Sequence, residues 1–305
     1  MNVKRVLMAA VASALMAAPA GAATLSVCIA EENAPLSHLV KNAPAGLDVR
    51  LAQAIAEEAG RDLKLVPFES KYEQESSLSH EVNALLSSGV CDLASGFVLL
   101  QPELGPASRP TARVPDHPGA SRRPLRPWVP LGTLVGSRAY HAVAMGVVVR
   151  GTPTARPVNS LADLGGLRVG VVTGTMAGTA LTLYRNGLLR PGIVSLSRGQ
   201  EVLDLLEAGS LDATLVVIDR FDAWRLAHPT NSLRREAYLH PLRINIGFVA
   251  LADATEVLAA ADRVIARALA SGELKRWSEE AGATWIAPGV PNVGAPVGLA
   301  ELLRE

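Results

Sequence analysis

The chain has 305 residues, 49% of them hydrophobic and only 4% aromatic, with 29 basic against 29 acidic side chains. That length supports one large or two ordinary domains with real cores. The balanced charge gives no global pull toward nucleic acid or acidic lipid, and no stretch reaches the roughly 20 consecutive apolar residues that a bilayer span takes.

Met1-Asn-Val-Lys-Arg5 is a charged start, residues 6–18 are an uncharged apolar run, and Ala20-Gly-Ala22 offers a small-x-small cleavage site. This is the pattern of a cleaved export signal over residues 1–22, so a mature chain is expected from Ala23 in the periplasm. Without Lys4 and Arg5 its net charge is about −2. Cys28 follows Val27 rather than a small residue, which argues against a lipid anchor.

The next runs are Leu25-Ser-Val-Cys-Ile-Ala30, a strand, and a helix whose apolar face is Leu47, Leu51, Ala54, Ile55 and Ala59, with Gly60 as its stop. Residues 63–68 read as a strand that Pro67 places near a sheet edge. A short helix on Val82, Leu85 and Leu86 follows, then a strand over 90–98. This β-α-β-α-β order implies a mainly parallel sheet covered by helices. Cys28 and Cys91 lie in two of these apolar strands. In an exported protein they are expected as a disulfide worth roughly 4 kcal/mol of loop closure, with two inert buried thiols as the other reading.

Residues 101–130 hold eight prolines and five arginines, Arg109, Arg113, Arg122, Arg123 and Arg126. That proline density predicts no regular element. A disordered surface insertion is the plainer expectation; the sharper one is a partner-docking arm with Trp128 as its anchor.

Strands are then expected over 142–150 and 167–172, with a helical turn at 158–164 between them. Thr173-Gly-Thr175 opens a helix to about Asn186. Its first-turn amides suit an anion or carboxylate, with Thr175 as N-cap or ligand hydroxyl and Met176 behind it; an ordinary capped helix start fits equally. A helix over 201–208 leads to a buried strand over 211–219. Asp219, at its tip, is placed either to hold an amine or to cap the helix of 221–226. A strand over 243–251 and helices over 255–270 and 272–281 complete the chain.

These residues carry a resemblance. Gly46-Leu-Asp-Val-Arg-Leu-Ala-Gln-Ala-Ile-Ala, Leu164-Gly-Gly-Leu-Arg-Val-Gly-Val-Val-Thr-Gly-Thr175, Gly209-Ser-Leu-Asp-Ala213 and Ala270-Ser-Gly-Glu-Leu-Lys-Arg-Trp277 resemble, in order, the signatures of family 3 extracellular solute-binding proteins serving polar amino acid importers. The resemblance implies a type II periplasmic binding protein fold: two α/β lobes of mainly parallel sheets flanked by helices and joined by crossed hinge strands. Lobe 1 would take residues 23–140, including the insertion, and 239–305; lobe 2 would take 141–238. A small polar solute would bind between them in a monomer and pass to an ABC permease. By position Thr175 and Met176 would contact a carboxylate and Asp219 an amine, with Ser95 and Arg138 completing the candidate set.

The family's amino acid binders carry an arginine where this chain has Gln101-Pro-Glu-Leu104, which puts an α-amino acid in doubt; Arg109 or Arg138 are the available substitutes. Val27-Cys-Ile-Ala-Glu-Glu-Asn-Ala-Pro-Leu-Ser37, Gly89-Val-Cys-Asp92 and residues 137–150 resemble a narrower branch, the solute-binding-like accessories of periplasmic quinoprotein alcohol dehydrogenases. That branch implies a non-transport partner protein instead. For an enzyme, Glu31, Glu32, Glu69, Glu73 and Glu75 offer carboxylates and His38, His80 and His141 offer bases. None stands in a nucleophile or metal-ligand spacing, so neither catalysis, a metal nor a cofactor is expected.

Overall fold

A computed structural model describes residues 23–69, 77–122, 125–151 and 157–304. The export signal, Glu73, Glu75, Arg123 and Pro124 lie outside the described residues. The first strand, β1 (Thr24–Ala30), is followed by a small antiparallel sheet of β2 (Glu32–Asn33), β3 (Ser37–Val40) and β4 (Ala43–Ala45). Helix α1 (Leu47–Ala59) buries Leu47, Leu51 and Ile55 and ends where Gly60 takes a left-handed φ of 63°, so the apolar period and the glycine stop both act as the sequence predicts.

Strand β5 (Asp62–Phe68) pairs in parallel with β1 along its whole length and is the outermost strand of the large sheet, which explains how Pro67 is tolerated. Helix α2 (Leu78–Ser87) returns to β6 (Leu93–Val98), parallel to β1 on the other side. Cys28 of β1 forms a disulfide with Cys91, which lies two residues before β6 rather than within a strand beginning at Val90.

The proline-rich segment departs from expectation. It holds β7 (Gly105–Pro106), β8 (Thr111–Arg113) and β9 (Trp128–Pro130); β8 and β9 pair with each other and pack on α2. Ala112 and Val114 are buried in the cluster of Phe68, Leu85 and Phe97, and Arg126 is fastened to the carbonyls of Ser121 and Val114 and to Asp116. Non-local burial and side-chain bonds thus replace the ladder that proline forbids. Trp128 is exposed, with the Arg113 guanidinium 5.1 Å from its ring centre.

Two strands run far longer than their predicted cores. β10 (Thr133–Arg150) spans 18 residues and β14 (Leu233–Leu251) 19, and they pair antiparallel through the middle of the molecule. Past them lie β11 (Val169–Val172), α3 (Met176–Leu183), β12 (Ile193–Leu196), α4 (Val202–Glu207), β13 (Ala213–Val217) and α5 (Ile218–Ala227). The sheet order is β12-β11-β13-β10-β14-β6-β1-β5, parallel within each outer set and antiparallel where β10 and β14 join them.

The cores follow this division. One pair of clusters gathers residues 25–143 with 246–285, closed by α6 (Thr255–Ser271) and α7 (Glu273–Glu280); another pair gathers residues 145–242. The last element, α8 (Leu299–Leu302), does not stay with the first unit as the 239–305 assignment expects. Leu302 is buried in the second, against α3, and its carbonyl meets Nε2 of His240 at 3.0 Å.

Candidate functional site

Between the two units, where β10 and β14 cross, lies a cavity of about 680 Å³, within the usual range for small-molecule sites. One wall comes from the ends of β1, β5 and β6: Glu31, Glu32, Asn33, Phe68, Glu69, Ser95, Gly96 and Phe97. The other comes from the β13–α5 junction: Val217, Asp219, Arg220 and Ala223. Val143 of β10 and Ile246 of β14 form the floor. The first wall stands at the C-terminal ends of parallel strands, where open α/β sheets leave room for ligands.

Under the first wall sits a buried polar network that the sequence reading missed. Asp48 is fully buried in the first turn of α1 and accepts hydrogen bonds from Tyr140 Oη and Ser95 Oγ, both at 2.7 Å. Tyr140 Oη accepts in turn from the Gly96 amide at 2.9 Å. Burial pushes the Asp48 carboxyl up to about 6 against the lowering effect of those two donors, and burial also raises the Tyr140 hydroxyl. A signal existed: Asp48 lies four residues before Ala52 and seven before Ile55, on the face of α1 that otherwise carries only apolar side chains.

Asp219 is not a strand-tip acid. β13 stops at Val217 and α5 begins at once, so Asp219 falls in the first helical turn, where no side chain caps the helix. Its Oδ1 instead meets Nε2 of the wholly buried His141 at 3.1 Å, and the Ile286 amide donates to His141 Nδ1 at 3.4 Å. The Ile286 N–H faces Nδ1, so it is Nε2 that His141 directs at the carboxylate. Asp219 is 7% exposed, and its Oδ2 makes no hydrogen bond among the described residues.

Ser95 and Asp219 therefore line the same cavity. Thr175 and Met176 line a neighbouring, mostly apolar pocket of about 150 Å³ that shares Val217 and Arg220 with it. The Thr175 hydroxyl accepts from the Gly178 amide at 3.0 Å and donates to the Val172 carbonyl at 2.8 Å, so it is occupied as the N-cap of α3. Arg138 lies elsewhere: its amide donates to Asp262 of α6 and its side chain is exposed. Arg109 stands beside His80 at the start of α2. Neither arginine lines the cavity.

Charge in the cavity is one-sided. Glu31, Glu32, Glu69 and Asp219 face Arg220, the one cation among the described lining residues, and Arg220 donates to Glu201 at 2.7 Å. The Glu31 carboxyl is raised by burial and then by the charges of Glu69, Glu32 and Asp116. Among the described residues no three His, Cys, Asp or Glu side chains converge in a way that would hold a metal ion, and no helix is long and apolar enough to cross a membrane.

The chain matches no protein-family profile and no curated protein sequence. Solved structures do resemble it. The second substrate-binding domain of a putative amino acid ABC transporter from Streptococcus pneumoniae Canada MDR_19A has a TM-score of 0.60 at 17% identity, covering 85% of this chain and 100% of that one. The L-cystine solute receptor of Neisseria gonorrhoeae, unliganded and open, has a TM-score of 0.59 at 18% identity, covering 87% and 95%. The second substrate-binding domain of GlnP from Lactococcus lactis, also open, has 0.59 at 16%, covering 87% and 97%. At these identities the likeness shows the fold: a mixed α/β chain in the two-lobed arrangement of type II periplasmic binding proteins, with β10 and β14 as the strands that join the lobes.

Proposed function

We propose that this chain is a periplasmic solute-binding protein that captures a small polar solute between its lobes and delivers it, as a monomer, to an ABC importer. The observation that carries the reading is the cavity of about 680 Å³ whose two walls belong to separate hydrophobic cores while its floor belongs to the strands joining them. A ligand touching both walls favours their approach, and the binding energy then drives closure. On this reading residues 23–140 with the larger part of 239–305 form lobe 1, and residues 141–238 form lobe 2. Ser95 and Asp219 contact the solute from opposite lobes, and Thr175 and Met176 shape the pocket beside it. A leader cleaved before Ala23 accounts for the export.

Thermal unfolding of the chain from Ala23 against amino acids, organic acids, polyamines and sugars tests this. A solute at about 100 times its Kd adds about 2.7 kcal/mol and, at about 2–4 °C per kcal/mol, raises the midpoint by several degrees. Asp219→Asn should remove most of that shift. Silence across the panel overturns the reading and favours the other role the sequence suggests, an accessory of a periplasmic quinoprotein dehydrogenase.

A further inference from the structure

Resting on that reading, we propose that the solute is an organic cation without a carboxylate, with amino groups at both ends of an aliphatic spacer: a diamine or polyamine spanning Asp219 on one wall and Glu31 and Glu32 on the other. Three observations on the cavity support it. Asp219 lines it at 7% exposure, with Oδ1 on His141 Nε2 and Oδ2 without a hydrogen bond among the described residues. A cationic donor in the cleft gives Oδ2 the charge-assisted hydrogen bond that no described protein group supplies.

The opposite wall repeats the sign. Glu31 and Glu32 follow directly on β1, in the other lobe, and line the same cavity. The raised carboxyl of Glu31 reflects burial and the neighbouring acids, a repulsion that a bound cation would relieve. Among the described residues no unpaired cation lines the cavity: Arg220 is engaged by Glu201, and neither Arg138 nor Arg109 lines it. An α-carboxylate would therefore enter a cleft of its own sign. Between the acidic ends the walls are apolar, with Phe68, Phe97, Val98, Val143 and Ile246, which suits a methylene spacer and disfavours a polyhydroxylated one.

Titration calorimetry of the chain from Ala23 decides it, with 1,3- to 1,8-diaminoalkanes and spermidine as probes, and 1-aminobutane, L-glutamine and succinate as controls. One diamine or spermidine should bind at least about tenfold more tightly than 1-aminobutane, with no measurable binding of L-glutamine or succinate. Each end contributes a charge-assisted hydrogen bond, and losing one costs about tenfold or more. Asp219→Asn, which keeps an oxygen for His141, and the double variant Glu31→Gln/Glu32→Gln should each weaken diamine binding by about that factor while leaving the unfolding midpoint of the free protein near wild type. Tighter binding of L-glutamine or succinate than of every amine overturns this inference and leaves the solute-binding reading intact. Absence of heat with every probe, amines and controls alike, overturns this inference, and the wider thermal panel then decides the solute-binding reading separately.

Discussion

Asp48 shows how one side chain can tax the fold on behalf of the cleft. It is wholly buried, and its carboxyl is pushed from an ordinary 3.8 up to about 6 by that burial. Between those values the folded chain binds a proton that the unfolded chain does not. Stability from this group is therefore fully present below about pH 4 and lost as pH rises through 6, where the ionised carboxylate costs about 3 kcal/mol. Asp48→Asn abolishes the titration. Measured by urea unfolding, the stability difference between variant and wild type should move in the variant's favour by about 3 kcal/mol from pH 4 to pH 7; a difference independent of pH would show that Asp48 titrates alike folded and unfolded. What the carboxylate holds is local: Ser95 on the cleft wall and, through Tyr140, the amide of Gly96. Gly46, just ahead of it, has φ of 116°, and a Cβ there would stand 2.3 Å from the Leu36 carbonyl oxygen, so α1 starts where only glycine fits. The glycine and the helix after it are legible as sequence, because local backbone and periodicity set them. The partners of Asp48 are not, because they stand 47 and 92 residues away.

At the scale of elements, legibility tracks burial on both faces. In β14 the stretch 245–250 is buried without a break and reads as a strand, whereas 233–243 alternates between buried and partly exposed positions and carries several arginines. That part of the strand is defined by its pairing with β10, which single-strand patterning does not carry. The proline-rich segment fails for a related reason. Its order rests on Ala112 and Val114 reaching the core under α2, on Asn83 exchanging hydrogen bonds with the backbone of Gly132, and on Arg126. Arg126 is 9% exposed and donates to the carbonyls of Ser121 and Val114. Arg126→Ala should leave those acceptors unmet and cost about 2–4 kcal/mol locally. Limited proteolysis should then cut within residues 105–130 well before the rest of the chain, with the main unfolding transition little changed. An unaltered digestion pattern would mean that the apolar contacts with α2 alone order the segment.

For the whole molecule, what matters is how the two lobes are held relative to each other. β10 and β14 alone would leave them free to swing. The residues after α7 add a second connection whose course no periodic pattern in the sequence foretells. Thr284 donates from its amide to Asp222 of α5, Ile286 bonds at His141 and Ala142, and Asn245 donates to the carbonyls of Gly289, Pro291 and Asn292. The chain then pairs at Gly294 with Leu99 and Gln101 of the first lobe before α8 crosses to the second and buries Leu302 beside α3. A segment bonded in turn to the hinge, to one lobe and to the other resists their separation. Its grip on the second lobe rests mainly on α8, since Leu302 is 6% exposed and its carbonyl meets His240. Ending the chain at Val297 removes that grip and leaves the hinge bonds in place. The loss of one buried leucine should cost about 2 kcal/mol. Small-angle scattering of the ligand-free protein should show a larger radius of gyration than the full chain, and a saturating ligand should bring the two back together. If the truncated and full chains scatter alike without ligand, the antiparallel pair of β10 and β14 sets the opening alone, and α8 serves only to cover the apolar face of α3.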